Sequence, residues 1–300
     1  MTDDIDAALE PEPEVPEVAL PERPEGPTRR QLAERAERRR AVLIALFSTV
    51  VVFAALMVLV VSAPGWPDVR RSFFSWHHFS ESLPDVLPAF WINVKVFVTA
   101  EAFILVLALL LALARSSRAP VLFPLRILST VYVDVLRGIP VLLVLFLLGF
   151  GVPALRLDGV PRDPVFWATV ALVLSYSAYV SEVYRAGIDS VHESQRAAAR
   201  SLGLTSAQAM RFVVLPQAVR RVVPPLLNDF IALQKETALV GVLGPIEAAR
   251  QAQIYSSREF NFTSYVAAAL IFLAFTIPLT RLTDWLLSRQ RTRISGGRLA

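Results

Sequence analysis

The sequence predicts an all-α polytopic membrane protein with six transmembrane helices and both termini on the cytoplasmic side. Three observations carry this. Of 300 residues, 54% are hydrophobic and only 19% are charged, at a mean hydropathy of +0.51, whereas soluble domains sit nearer a quarter charged. Apolar runs long enough to cross a hydrocarbon core, about 20 residues, recur along the chain. They lack strand-like alternation, which excludes lipid-facing strands. Arginines, finally, crowd alternate connections between these runs, and the positive-inside rule converts that asymmetry into an orientation.

Residues 1–28 carry nine acids against Arg23, with six prolines and almost nothing apolar to bury; such a stretch stays disordered. Residues 29–40 carry six arginines against Glu34 and Glu37. Residues 1–40 therefore read as a disordered cytoplasmic tail, a solvated spacer ending in a basic segment. Residues 41–63 form an extra N-terminal transmembrane helix. A cleaved signal peptide is the alternative, but the run exceeds the usual 7–15 apolar residues and its leader is too long. Pro64-Gly65-Trp66-Pro67 ends it. Further spans follow at about 90–113, 139–155, 165–184, 222–243 and 264–287, with an amphipathic stretch at 121–137 leading into the third. Residues 291–300 form a basic C-terminal tail.

Arg29 to Arg40 precede span one, and Arg115 and Arg118 follow span two. Arg185, Arg196, Arg200, Arg211, Arg220 and Arg221 lie between spans four and five, and Arg289, Arg291 and Arg293 follow span six. These connections face the cytoplasm. The protein belongs in the cell membrane, and no nucleic-acid partner is expected.

Cysteine is absent, which removes disulfides, thiolate metal sites and thiol catalysis. His77, His78 and His192 are the only histidines and lie outside the spans. Neither a zincin nor a P-loop motif is present, so no catalytic residue, metal site or cofactor is expected, and any ATP is bound by another chain. An intramembrane enzyme, the reading from a different class, lacks its constellation. No internal repeat supports a secondary transporter built from repeated halves.

The most informative segment is residues 186–216, between spans four and five. Ser194 is placed to cap a short helix through Leu202, and Gly203 sits where a left-handed residue ends it. Thr205 to Gln208 has capping-box spacing and starts a second helix. Pro216 and the pair Pro224-Pro225 are expected to disrupt the approach to span five. The result is a helix–Gly–helix hairpin with a small-residue face at Ala197, Ala198 and Ala199, suited to docking a partner.

The motifs then add up. Gln195 precedes Ala197-Ala198-Ala199, which are followed after three intervening residues by Gly203, and after nine more by Val213-Val214-Leu215-Pro216. Upstream stand Tyr132, Asp134, Arg137, Gly138 and Pro140, then Tyr179, Glu182, Arg185, Gly187 and Ile188. Downstream stand Asn228 and the run Lys235-Glu236-Thr237-Ala238-Leu239. The set resembles the permease subunit of ABC importers, in the branch that imports polar amino acids. It departs from that branch at Ala197 where the family has Glu, at Asp134 for Glu and at Ile139 for Thr. A literal Glu247-Ala248-Ala249 lacks the following Gly and is set aside.

The resemblance covers residues 88–290 and implies a five-helix type I importer core. It implies a non-catalytic transport subunit that forms the pathway and couples to separate cytoplasmic ATPase subunits through loop 186–216. Gln195, Ala197, Ala198, Ala199, Gly203, Leu215 and Pro216 would carry the docking. It further implies a second permease subunit, identical or similar, and an extracytoplasmic substrate-binding protein. Opine-like or compatible-solute ligands remain the alternative substrates.

Charges at membrane depth cost about 2.5–3.5 kcal/mol on insertion scales, so each needs a reason. Lys95 near the outer end of span two can snorkel, whereas Glu101 has no such escape. An amino-acid zwitterion needs polar partners wherever it is desolvated. Glu101, Asn228, Lys235, Glu236 and Thr237 are therefore the pathway candidates. Glu182 and Arg185, spaced i, i+3, are an interfacial ion pair or a gate. Arg137, with Gly138 and Pro140, anchors a helix start.

Overall fold

The computed structural model describes residues 29–117 and 119–296. The expected disordered stretch 1–28 and the last four residues of the C-terminal tail lie outside the described residues. The chain divides between Trp66 and Pro67 into two compact units.

The first unit holds one helix, α1 (Arg29–Val61). It begins well before the apolar run, so the basic segment 29–40 is helical rather than part of a disordered tail. Its Arg, Glu, Ala and Leu residues are strong helix formers that propagate cheaply from an existing helix. The apolar part of α1 buries nothing within its own unit.

The second unit opens within α2 (Trp66–Phe73), from Pro67 on, and continues with α3 (Trp76–Ser116). The latter runs through Pro84 and Pro88, so the second span starts earlier than expected. Its buried stripe, Val86, Phe90, Asn93, Phe97, Ala100, Ile104, Ala108 and Leu111, repeats every three or four residues. A turn of 3-10 helix, Pro120–Leu122, leads into α4 (Phe123–Gly138). Then come α5 (Val141–Phe146), a π-helical turn Leu147–Gly151, and the short α6 (Val152–Ala154). The path bends by 106° between α4 and α5. Gly138, Ile139 and Pro140 make that bend, because Pro140 has no N–H to extend α4 and sets an extended backbone before α5.

Helix α7 (Pro164–Asp189) starts with Pro164 in its first turn and the Asp163 carboxylate accepting from the N–H groups of Val165 and Phe166. Its buried face is small: Ala168, Ala171, Ser175, Ala178 and Ser181. Small residues let helices approach where lipid removes the hydrophobic drive between them, leaving dispersion and fit to hold the pair. The core joins Phe97 and Ile104 of α3, Leu145 of α5 and Leu172 of α7 to Leu233 and Val240.

Then follow α8 (Glu193–Ser201), α9 (Ser206–Ala209), a π-helical turn Met210–Val214, and α10 (Leu215–Glu236). A 3-10 stretch, Thr237–Leu243, leads to α11 (Ala248–Glu259) and α12 (Thr263–Gly296). The expected disruption at Pro216 and Pro224-Pro225 does not occur. Pro216 sits in the first turn of α10, where a missing N–H is tolerated beside the widened π turn, and Pro224 and Pro225 lie inside that helix. The expected span 222–243 changes to 3-10 geometry after Glu236.

Among the described residues, four helices are long and apolar enough to cross a membrane, and the bent pair around Gly138 raises this to five. The expected count of six is not reached by that measure. Helix α10 is absent from the set because it carries Arg220, Arg221, Asp229, Lys235 and Glu236.

Candidate functional site

The segment 186–216 folds into the expected hairpin at the C-terminal end of α7. Leu204 N–H donates to Ala199 O and Gly203 N–H to Arg200 O, at 3.2 and 3.0 Å, around Gly203 at φ +83°. These paired bonds form a Schellman motif, which satisfies the last carbonyls of α8. Thr205 and Gln208 form a reciprocal capping box that starts α9. At the other end, the cap is His192 rather than Ser194. The His192 ring accepts from Ser194 N–H, so the helix begins at Glu193. Ala197 and Ala198 are exposed, as is Gln195, while Ala199 turns inward and is buried. The expected three-alanine face is thus split. Ile188, Val191, Val214 and Ala218 form the hairpin's own apolar core. Leu215 is exposed and Pro216 opens α10. The guanidinium of Arg196 donates to Ile188 O at 2.6 Å and that of Arg221 to Ser190 O, so both complement the carbonyl end of α7.

About two helical turns before that end, Glu182 is held by three arginines. Arg185 donates to Oε2 at 3.0 and 3.2 Å, Arg115 donates to Oε1, and Arg137 Nη1 lies 3.5 Å from Oε1. Asp189 shares Arg185 at 3.4 Å. Arg137 also stacks over the Tyr179 ring, whose hydroxyl donates to Arg137 O at 3.3 Å. The cluster ties together the C-terminal ends of α3, α4 and α7. The sequence supplied Arg137, Glu182 and Arg185; it missed Arg115, which is 67 residues from Glu182.

The pathway candidates do not converge. Thr237 is fully buried, donating to Gln234 O and accepting from Asn93. Asn228 and Lys235 are exposed. Glu101 lines a cavity of about 390 Å³ with Leu105, Leu226, Phe230, Leu279 and Thr283. Asp229, not singled out in the sequence, is close enough for its charge to act on Glu101, and its Oδ2 is buried without a hydrogen-bond partner among the described residues. Tyr176 feels both Glu236 and Asp229. An acid-rich region therefore lies between α3, α7 and α10. Lys95 lines a separate space of about 300 Å³ with Thr99, Asp163 and Thr169.

Residues 104–292 match the family of binding-protein-dependent transport system inner membrane components. The chain belongs to that family. This permease is 43% identical over 166 residues to the probable glutamine ABC transporter permease protein GlnM of Bacillus subtilis (strain 168), covering 54% of this chain and 74% of the relative. It is 37% identical over 213 residues to the probable amino-acid ABC transporter permease protein PatM of Vibrio harveyi, covering 71% of this chain and 94% of that one. A crystal structure of an amino acid ABC transporter with histidines matches at a TM-score of 0.65 and 32% identity, covering 72% of this chain and 98% of that one. The protein is a multi-pass membrane permease.

One further group in the permease was hidden from the sequence. Asn93 of α3 donates to Glu247 Oε2 at 3.1 Å and to Thr237 Oγ1 at 3.2 Å, and accepts from Ala248 N–H at 3.2 Å. Glu247, 1% exposed, caps α11 by accepting from the N–H groups of Ala249 and Arg250. The literal Glu-Ala-Ala is thus a buried helix start. Burial pushes its carboxyl above the usual range, while the bonds from Ala249, Asn93 and Arg250 pull the other way. Gly241 is required beside it, since an added Cβ would lie 2.4 Å from Glu247 Oε1. Glu247→Ala removes the acceptor of three donors, one buried and two half-buried, and is expected to cost about 2–4 kcal/mol. A clear fall in the thermal unfolding midpoint of the purified permease checks this, and Gly241→Ala should move it the same way.

Proposed function

We propose that this permease is the membrane-spanning subunit of an ABC importer for polar amino acids, with hairpin 186–216 docking a separate cytoplasmic ATPase that hydrolyses the ATP. The observation that carries the docking is the hairpin's surface. It is rigidly closed by the Schellman motif and capping box, yet it exposes Leu202 at 84% and Phe212 at 62% beside Ala197 and Ala198. Large apolar side chains on a charged, water-facing hairpin fit a partner surface. A coupling element must also differ in affinity between the partner's states, and the arginine bonds into the end of α7 give the hairpin a stiff route into the spans.

In this reading residues 88–290 form the permease domain, 41–63 is an added span, and two such chains, identical or similar, pair around the pathway. An extracytoplasmic binding protein delivers the solute. The acid-rich region around Glu101, Asp229 and Glu236 suits the ammonium group that every amino acid carries. The cluster at Glu182 serves as a gate at the inner end of α3, α4 and α7.

Reporter tags test the orientation. A tag after Arg40, near Thr205 or after Arg293 is expected to report cytoplasm, and one near Phe79 the outside. An external result at Thr205 would overturn the docking, because the hairpin would never meet a cytoplasmic ATPase. Co-purification of an ATPase and a binding protein, followed by ligand binding to the latter, then identifies the solute.

A further inference from the structure

Helix α2 and the elbow between α11 and α12 form one laced unit at the end of the bundle opposite the docking hairpin. Asn261 Nδ2 donates to Arg71 O at 2.9 Å, Phe262 N–H to Ser72 O at 2.7 Å, and Ser75 N–H to Thr263 Oγ1 at 3.2 Å. Phe73 stacks on Phe262 with ring centroids 5.1 Å apart. The opposite placement follows from α3, whose C-terminal Arg115 meets the hairpin end of α7 at Glu182 while its first turn begins here.

This unit displays aromatic side chains outward. Phe74 is 61% exposed, Trp76 77% and Phe260 87%. Phe260 is held at φ +51°, a left-handed backbone that Gly or Asn adopts far more readily. An aromatic kept in that conformation while packing little against its own chain points to a surrounding medium that rewards it. The position of the rings names the medium. Trp76 is the first residue of α3 and Phe260 stands three residues before α12, and both helices carry membrane-spanning stretches. Aromatic rings concentrate at that depth, where an apolar body meets a wet boundary. Along α2, Val69 and Phe73 share one face while Asp68 and Arg71 lie on the other, the pattern of a helix lying in an interface. Arg70 and Arg71 form no ion pair among the described residues, which suits lipid phosphate.

We infer that α2 and the α11–α12 elbow are a lipid seat, embedded in the phospholipid headgroup–acyl boundary, that fixes the starts of α3 and α12 at one membrane surface. The inference rests partly on α2 and the start of α3, which precede the family match at 104, and holds whether or not the hairpin docks an ATPase.

The absence of cysteine makes the test direct. Full-length chains carrying Phe74→Cys, Trp76→Cys or Phe260→Cys receive a nitroxide label in vesicles of equimolar phosphatidylethanolamine and phosphatidylglycerol. Asp158→Cys, in an exposed turn, and Phe53→Cys, in the apolar run of α1, give the water and hydrocarbon references. The three labels are expected to collide with a nickel chelate several-fold less than at Asp158, and with oxygen less than at Phe53. Nickel access equal to that of Asp158 would overturn the seat. Nickel access lost only on adding an extracytoplasmic binding protein would also overturn it, assigning the rings to protein docking.

Discussion

Glu182→Gln is expected to abolish uptake while the spans remain inserted. The carboxylate balances Arg115, Arg137 and Arg185, and its amide replacement keeps the shape but leaves three guanidinium groups facing one another. Removing one partner of a buried pair costs about 3–5 kcal/mol. Arg115 is only 10% exposed, but Arg137 and Arg185 are above 40%, so solvent screens part of the loss and about 3 kcal/mol is the expected value. That is enough to splay the ends of α3, α4 and α7 at their junction with the hairpin. Arg185→Gln should be milder, since Arg115 and Arg137 still neutralise the carboxylate. The measurement is uptake in cells at matched permease levels, with thermal unfolding of the purified protein. A double-mutant cycle between Arg115 and Glu182 separates their direct coupling from general destabilisation. A coupling energy near zero would mean that α3 is fastened to α7 by packing alone.

The features that were legible in the sequence are those set within a few residues. Gly203 and the Thr205–Gln208 box were readable because a left-handed stop and a reciprocal cap are written at fixed short spacing. The bend at Gly138 to Pro140 was marked as a helix start for the same reason. Helix ends with competing acceptors were not: His192 displaced Ser194 because an imidazole nitrogen also accepts from a helix N–H. Proline misled in α10, where a π turn and the neighbouring helices hold a helical path that local preference opposes, and α3 runs through Pro84 and Pro88 in the same way. Least legible were long-range partners. Arg115 finds Glu182, and Asn93 finds Thr237 and Glu247, across separations of 67, 144 and 154 residues. Those meetings depend on how α3 crosses α7 and α11, which periodicity does not encode. Thr237 shows the consequence: its polarity read as pathway, while its surroundings make it a buried hydrogen-bond partner.

Gly203→Asp is expected to prevent ATPase capture and uptake, whereas Gly203→Ala should leave most of both. The contrast rests on separating strain from surface. At φ +83° any side chain is strained, by about 1–2 kcal/mol. No heavy atom lies within 4 Å of where a Cβ would stand, so neither variant meets a steric clash inside the chain. Asp enters left-handed backbone more readily than Ala, through local hydrogen bonding of its short side chain. Strain alone therefore predicts that Ala unfolds the hairpin at least as much as Asp does. Docking predicts the reverse order, because a carboxylate projecting from the exposed tip of the hairpin must be desolvated against the partner, whereas a methyl group need not. Thermal unfolding and ATPase retention thus rank the two variants oppositely. A pull-down of the ATPase subunit at matched permease levels, run beside uptake in whole cells, reads the second ranking. Equal retention in both variants, with both slightly destabilised, would reduce Gly203 to a helix stop and leave the exposed Leu202 and Phe212 without an ATPase to meet.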